Sequence, residues 1–178
     1  MFWIAVLVSQ ALASNLTSVG QPVGPAVWPS GRLAVQGGLA VGSPAPAVTI
    51  NDLDGKPVAF SDFIGKKPAL IQFWATWCEL CERLDPKVRA AAERYGAEVE
   101  FIGVNVTVNQ KVERVRRWVA EHKPAFRVLW DNRGVAVRAY DVPSTSFIAI
   151  IDAKGKVAYT GVGADQDLDA ALRKVVGR

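Results

Sequence analysis

The sequence predicts an α/β fold, a central mixed β-sheet flanked by helices, with an N-terminal β-hairpin extension. Two observations predict the sheet and its helices. Buried strands read at 69–74, a continuous apolar run, and at 98–106 alternate with segments whose apolar residues recur at helical spacing. A strand–turn–strand pattern near the end, across Ala153-Lys154-Gly155-Lys156, adds an antiparallel hairpin and so makes the sheet mixed. A third observation predicts the extension: a second such pattern around Asp52-Leu53-Asp54-Gly55-Lys56-Pro57 precedes the first buried strand.

Short apolar runs at 48–50 and 58–60 flank that first turn, after a turn-rich lead of Val41-Gly42-Ser43-Pro44-Ala45-Pro46. Residues 61–65 read as one helical turn closed by Gly65. The run 69–74 is interrupted only by Gln72, as suits a strand covered on both faces. Residues 81–95 set Leu84, Val88, Ala91 and Ala92 on one side of a helix that ends at Gly96 and is expected to kink at Pro86. A second buried strand follows at 98–106. Val112, Val115, Trp118 and Val119 then mark an amphipathic helix over 111–122, with His122 at its end before Lys123-Pro124. A short strand at 126–130, a short helix at 133–140, the hairpin strands 146–152 and 157–161, and a last helix at 165–176 carrying Leu168, Ala171, Leu172 and Val175 complete the chain.

With 178 residues, 50% hydrophobic and 21% charged, the chain suits one globular domain, expected at 41–178, with a short additional segment. The net charge of +4 is scattered. The densest cluster, Arg114, Arg116 and Arg117, shares its helix with Glu113 and Glu121. That reads as a solvated face and argues against a nucleic-acid partner, which needs clustered positive charge. Residues 2–8 are apolar and are followed by Ala11-Leu12-Ala13, a small-x-small pattern. Residues 1–13 are therefore expected to be a signal peptide or, if uncleaved, a membrane anchor. The first Lys or Arg is Arg32, so the usual basic start is missing. Residues 14–40, rich in Gly, Pro, Ser and Val, read as a linker or loosely ordered arm.

The chain has only two cysteines, Cys78 and Cys81. Two cysteines make no disulfide scaffold, and with a single histidine, His122, far along the chain they make no tetrahedral zinc site. No metal and no cofactor is expected. The pair falls where the strand 69–74 passes into a helix. A helix start offers unpaired N–H groups and partial positive charge, both of which favour a thiolate. Cysteines so placed ionise below the free value of about 8.5. Cys78 is expected at the helix cap with its sulfur exposed, and Cys81 on the same face and more buried. Trp74 is expected in the core. Trp77 is expected partly exposed beside the cysteines.

Phe73-Trp74-Ala75-Thr76-Trp77-Cys78-Glu79-Leu80-Cys81, the lead Val41-Gly42-Ser43-Pro44-Ala45-Pro46, the Asp54-Gly55-Lys56 turn with Phe60-Ser61-Asp62, and Tyr140-Asp141-Val142-Pro143-Ser144-Thr145 together resemble the TlpA/ResA-like thiol–disulfide oxidoreductases of the thioredoxin superfamily. The resemblance spans about 41–176. It implies a thioredoxin fold and disulfide exchange with exported proteins through Cys78 and Cys81, more in the reducing direction. It implies, too, a cis proline facing the cysteines at Pro143, with the Val142 backbone and Trp77 contacting substrate. Glu79 and Leu80, between the cysteines, would tune the potential. The partners it implies are exported proteins with disulfides or thiols, apocytochrome c or copper-site assembly proteins among them, and a membrane thiol-reductant carrier. The compartment it implies is the periplasm or another exported location.

The sequence departs from that pattern in three places. Leu80 stands where the branch often has proline. Gln72 and Leu84 hold the positions on the strand and helix where relatives carry a buried acid. The run from Pro143 to Asp152 is a few residues longer than is typical, which points to a bulge or a shifted register. The alternative function is copper(I) handling by the two thiolates, for which His122 is the sole additional histidine. A peroxidase would need a threonine–proline arrangement that Thr76 does not provide, and a binding module with an idle cysteine pair is the remaining reading.

Overall fold

The computed structural model describes residues 37–178. The signal-peptide or anchor reading of 1–13 lies outside the described residues, and so does the arm at 14–40 except for its last four residues. Those residues are joined to the domain: Gly38 N–H donates to Asp141 O at 2.6 Å.

Seven strands form one sheet, in the spatial order 57–59, 49–52, 127–130, 100–105, 69–74, 147–151 and 157–161. The predicted extension is the hairpin β1 (Thr49–Asp52) and β2 (Pro57–Ala59), which joins the sheet when β1 pairs antiparallel with β5 (Arg127–Trp130). At the centre, β3 (Ala69–Trp74) runs parallel to β4 (Glu100–Asn105), and β4 runs parallel to β5. On its other side β3 pairs antiparallel with β6 (Phe147–Ile151), and β6 with β7 (Val157–Gly161). Every residue of β3 is buried, as its unbroken apolar run predicts. Both hairpins turn on the same chemistry. Asp52 Oδ1 accepts the N–H groups of Asp54 and Lys56, Asp152 Oδ1 those of Lys154 and Lys156, and Gly55 and Gly155 supply the positive φ.

Side-chain alternation along β3 divides the core. Leu70, with Ile148 and Ile150 of β6, packs against Leu84, Val88 and Tyr95 of α1 (Glu79–Tyr95) and against Leu168 and Leu172 of α4 (Leu168–Val176). Ile71 and Phe73 join Ile102, Val104, Ala149 and Ile151 in a second cluster. It is covered by Val115 of α2 (Val112–His122), Ala136 of α3 (Val135–Ala139) and the short 3-10 turn Phe60–Asp62. Tyr140 is fully buried there, tilted against Phe60 and Phe73, and its hydroxyl donates to Pro46 O. Burial pushes that phenol above its ordinary value. Helix α1 continues through Pro86. Helix α2 ends at His122, with Lys123 in the left-handed conformation, where Pro124 predicts a stop.

Candidate redox site

The strand β3 delivers the chain to the turn Ala75-Thr76-Trp77-Cys78, and α1 starts immediately after it. Cys78 is the N-cap of α1. Its Sγ accepts the N–H of Cys81 at 3.1 Å, while its carbonyl accepts Cys81 N–H at 3.0 Å and Glu82 N–H at 3.1 Å. A sulfur thus occupies the position where a serine or aspartate oxygen usually caps a helix. Cys78 and Cys81 are joined as a disulfide. The helix start therefore directs both a hydrogen bond and its partial positive charge at the first sulfur, as the sequence predicts.

One expectation is corrected here. Cys78 is 4% exposed and Cys81 7%, so in the disulfide the first cysteine is no more open than the second. The exposure beside the pair belongs to Trp77 (43%) and Leu80 (38%), with Val108 of the loop after β4 also open. Glu79 is exposed between the cysteines. Trp77 is partly exposed as predicted, its Nε1–H donating to Val108 O at 2.8 Å, and Trp74 is buried at 1%.

A second correction concerns Pro143. No peptide bond among the described residues is cis. The trans proline packs against Gly37, while the Val142 N–H donates to Val137 O at 3.0 Å. The N–H that was to pair with a substrate strand is thus already used within the protein. The residue set against β3 is Ser146, fully buried at φ 62, with its N–H on Phe73 O at 2.9 Å and its carbonyl accepting from Gln166 Nε2. From Phe147 onward β6 pairs with β3 without a break; its pairing with β7 shifts register between Ile150 and Ile151, where the unmatched residue, Ala158, belongs to β7, so the additional length of the Pro143–Asp152 run lies in the turn before the strand.

Beside the disulfide opens a cleft of about 200 Å³ lined by Cys78, Cys81, Gln72, Trp74, Asp85 and His122, with Trp118 and Phe126 among its walls. The indole of Trp74 lies 4.5 Å from that of Trp118, and His122 stacks on Trp118 at 4.4 Å. Gln72 is 2% exposed; its Oε1 and the Nε1–H of Trp74 have no hydrogen-bond partner within the protein. The close packing depends on Gly103, where a Cβ would meet Phe126 at 2.2 Å and Trp74 Nε1 at 2.9 Å. At the rim, Asp85 is held by Arg89 Nε at 2.5 Å, and Arg89 reaches the carbonyls of His122 and Lys123 at the end of α2. His122, distant in sequence, therefore borders the same cleft as the cysteines. No group of three or more His, Cys, Asp or Glu among the described residues is placed to hold a metal ion. A larger groove of about 520 Å³ lies between α1 and α4, lined by Lys87, Arg94 and Asp169 but by neither cysteine.

Sequence reasoning missed Gln110, Trp118 and Ser146. Trp118 reads as one of four apolar positions on an amphipathic helix, and Gln110 as an ordinary loop residue. Only the return of the chain after β4 brings them to the cysteines. The signal for Ser146 was the length of the Pro143–Asp152 run.

A disulfide at the start of a helix that follows the central strand of a mixed sheet defines a thiol–disulfide redox protein of thioredoxin fold. The chain belongs to the Redoxin family, whose model matches residues 40–175. Within the thioredoxin superfamily it is TlpA/ResA-like. It is 32% identical over 127 residues to the thioredoxin-like protein YneN of Bacillus subtilis, covering 71% of this chain and 74% of that protein. It is 30% identical over 140 residues to the thiol–disulfide oxidoreductase ResA of Geobacillus thermodenitrificans, covering 77% and 79%. Among solved structures, a putative thiol:disulfide interchange protein DsbE from Chlorobium tepidum superposes with a TM-score of 0.67 at 27% identity, covering 78% of this chain and 96% of that one. The protein is a thiol–disulfide oxidoreductase acting on protein thiols or disulfides.

Proposed function

We propose that the protein reduces disulfides of exported proteins, with Cys78 as the attacking sulfur and Cys81 as the resolving one. The observation that carries the roles of the two sulfurs is the cap geometry: the Cys81 N–H already points at Cys78 Sγ at 3.1 Å, so a thiolate formed there has its donor in place, while the reducing direction rests on the TlpA/ResA-like resemblance. In the reduced protein the Cys78 thiolate attacks one sulfur of a substrate disulfide. The substrate S–S bond breaks, a mixed disulfide forms, and the departing substrate sulfur takes up a proton. Cys81 then loses its proton and attacks Cys78 Sγ, releasing the second substrate thiolate and closing the Cys78–Cys81 bond. Two electrons have passed to the substrate, and a membrane thiol carrier returns them.

Trp77 and Leu80 give the substrate an apolar seat beside the sulfurs, and Glu79 with Leu80 tunes the couple. An extended substrate chain pairs at Thr145, just before Ser146, rather than at Val142. Export rests on residues 1–13 as a signal peptide or anchor, 14–40 as an arm and 41–178 as the working domain. Apocytochrome c and copper-site assembly proteins are the substrate types this reading favours.

Insulin reduction with dithiothreitol as electron source tests the chemistry. Cys78→Ser is expected to abolish turnover, and Cys81→Ser to accumulate a mixed disulfide visible on a non-reducing gel. Full turnover by Cys78→Ser would end the reading. The direction is tested by equilibration with glutathione. A potential near about −270 mV supports a reductase, and one near about −120 mV an oxidant. The second reading is copper(I) handling by the two thiolates: His122 borders the cysteine cleft, although the described residues do not group it with the cysteines as a metal-holding set. Copper(I) retention by the reduced protein that is lost in His122→Ala, without insulin turnover, would select that reading.

A further inference from the structure

The turn that carries Cys78 is tied to one other segment, the loop between β4 and α2, and one side chain makes most of the tie. Gln110 Oε1 accepts both the N–H of Thr76 at 3.1 Å and its hydroxyl at 2.8 Å. Gln110 Nε2 donates to Asn105 Oδ1 at 2.9 Å, and that same oxygen accepts Thr107 N–H at 3.1 Å. Asn105 is fully buried at the end of β4, and the Thr107 hydroxyl reaches Asp131 O at 3.3 Å. The loop holds this form with Thr107 at φ 61 and Asn109 at φ 53, an unfavourable left-handed conformation for a threonine. Gln110 thus links the redox turn, through a buried amide, to the ends of two central strands. Its orientation is fixed by the Thr76 N–H, which needs the acceptor that only Oε1 provides.

We infer that Gln110 is a positioning residue that keeps the dithiol arranged for ring closure and so lowers the reduction potential of the Cys78–Cys81 couple. Forming the disulfide orders the segment from Ala75 to Cys81. A restraint present in both redox states orders it beforehand, so oxidation costs less conformational entropy. Without the tie, the reduced turn gains conformations that the disulfide does not share, and the equilibrium moves toward the dithiol. The inference rests on the exchange function proposed above and adds what sets its equilibrium.

The test is equilibration of the full chain with glutathione, in which protein dithiol and oxidised glutathione give protein disulfide and two reduced glutathiones. Gln110→Met keeps the length of the side chain and removes its three hydrogen bonds. Its equilibrium constant for disulfide formation is expected to fall about tenfold, equivalent to a potential about 30 mV higher. Thr76→Val, which loses only the hydroxyl bond, should move it severalfold in the same direction, and Thr76→Ser should restore the wild-type value. Asp167→Ala removes the α4 cap, where Asp167 Oδ1 accepts Ala170 N–H, and lowers stability far from the turn, so its equilibrium should match wild type. The inference fails if folded Gln110→Met and Thr76→Val both stay within about twofold of wild type, if they form the disulfide more readily, or if Asp167→Ala shifts as far. A wild-type protein that exchanges no disulfide would instead overturn the function itself.

Discussion

The polar groups packed beside α4 and those beside the redox turn face very different surroundings. Toward α1 and α4 the polar groups near the core are partnered: Tyr95 hydroxyl donates to Asp169, Lys87 Nζ to Ala164 O, and the buried Gln166 makes three hydrogen bonds, to Ser146 O, Gly163 O and Tyr159 hydroxyl. Toward the redox turn, β3 and β4 leave Gln72 Oε1, Trp74 Nε1 and Asn105 Nδ2 buried without partners, the only such side-chain atoms among the described residues. Buried polar atoms in native proteins are nearly always satisfied, and exceptions gather where function constrains the choice of residue. The α4 side is built for stability. The redox turn leaves three buried polar atoms without a partner inside the protein.

That contrast is sharpened most by a large-to-small change in the satisfied layer. Leu172 of α4 is fully buried against Leu84 and Val88. Leu172→Ala is expected to cost about 3 kcal/mol of unfolding free energy in urea, while leaving the glutathione equilibrium of the cysteines at its wild-type value. A shift in that equilibrium would show that the α4 side and the redox turn are coupled and would break the comparison.

A smaller effect is expected at Asp169, and it carries a sign. The hydrogen bond from Tyr95, followed by that from Arg173, holds this carboxyl below the usual aspartate value of 3.8. A group depressed in the folded state adds stability above its unfolded value and loses it as the pH falls through the folded one. The same bond to Asp169 is the leading reason the Tyr95 phenol lies above 10.0, so its share is present below pH 10 and lost above it. Asp169→Asn should therefore lower the melting temperature between those limits. The gap from wild type should close below about pH 3.8. A gap that stays constant into acid would remove Asp169 from the account.

Much of this architecture could be read in the sequence because it follows from local patterns. The unbroken apolar run 69–74 and the helical spacing of Leu84, Val88 and Ala91 predict the central strand and α1, and the paired Asp-x-x-Gly-Lys turns predict both hairpins. The cap position of Cys78 was legible for the same reason, since a strand passing into a helix is a local event. What was not legible depends on distant returns of the chain. Gln110 lies 34 residues from Thr76 in sequence, and nothing local marks it as that residue's partner. Pro143 looked like the residue facing the cysteines because its neighbours fit the motif. Its position was instead set by the Val142–Val137 hydrogen bond and by the turn that brings Ser146 to Phe73.

The smallest effect is also the most discriminating, and it comes from two buried glutamines. Gln72 is 2% exposed and Gln166 6%, so methionine replaces each at similar volume and burial. Removing Gln166 strands the Ser146 and Gly163 carbonyls and takes the acceptor from Tyr159, which should cost about 1–3 kcal/mol. Removing Gln72 strands no group that its Oε1 was satisfying and takes away a buried acceptor that had no donor. Gln72→Met should therefore leave the unfolding free energy within about 0.5 kcal/mol of wild type or raise it slightly. Chemical denaturation of the two variants side by side decides the matter. Equal losses would mean that the Gln72 amide is as fully bonded in solution as that of Gln166, and the distinction between the α4 side and the redox turn would fail at Gln72.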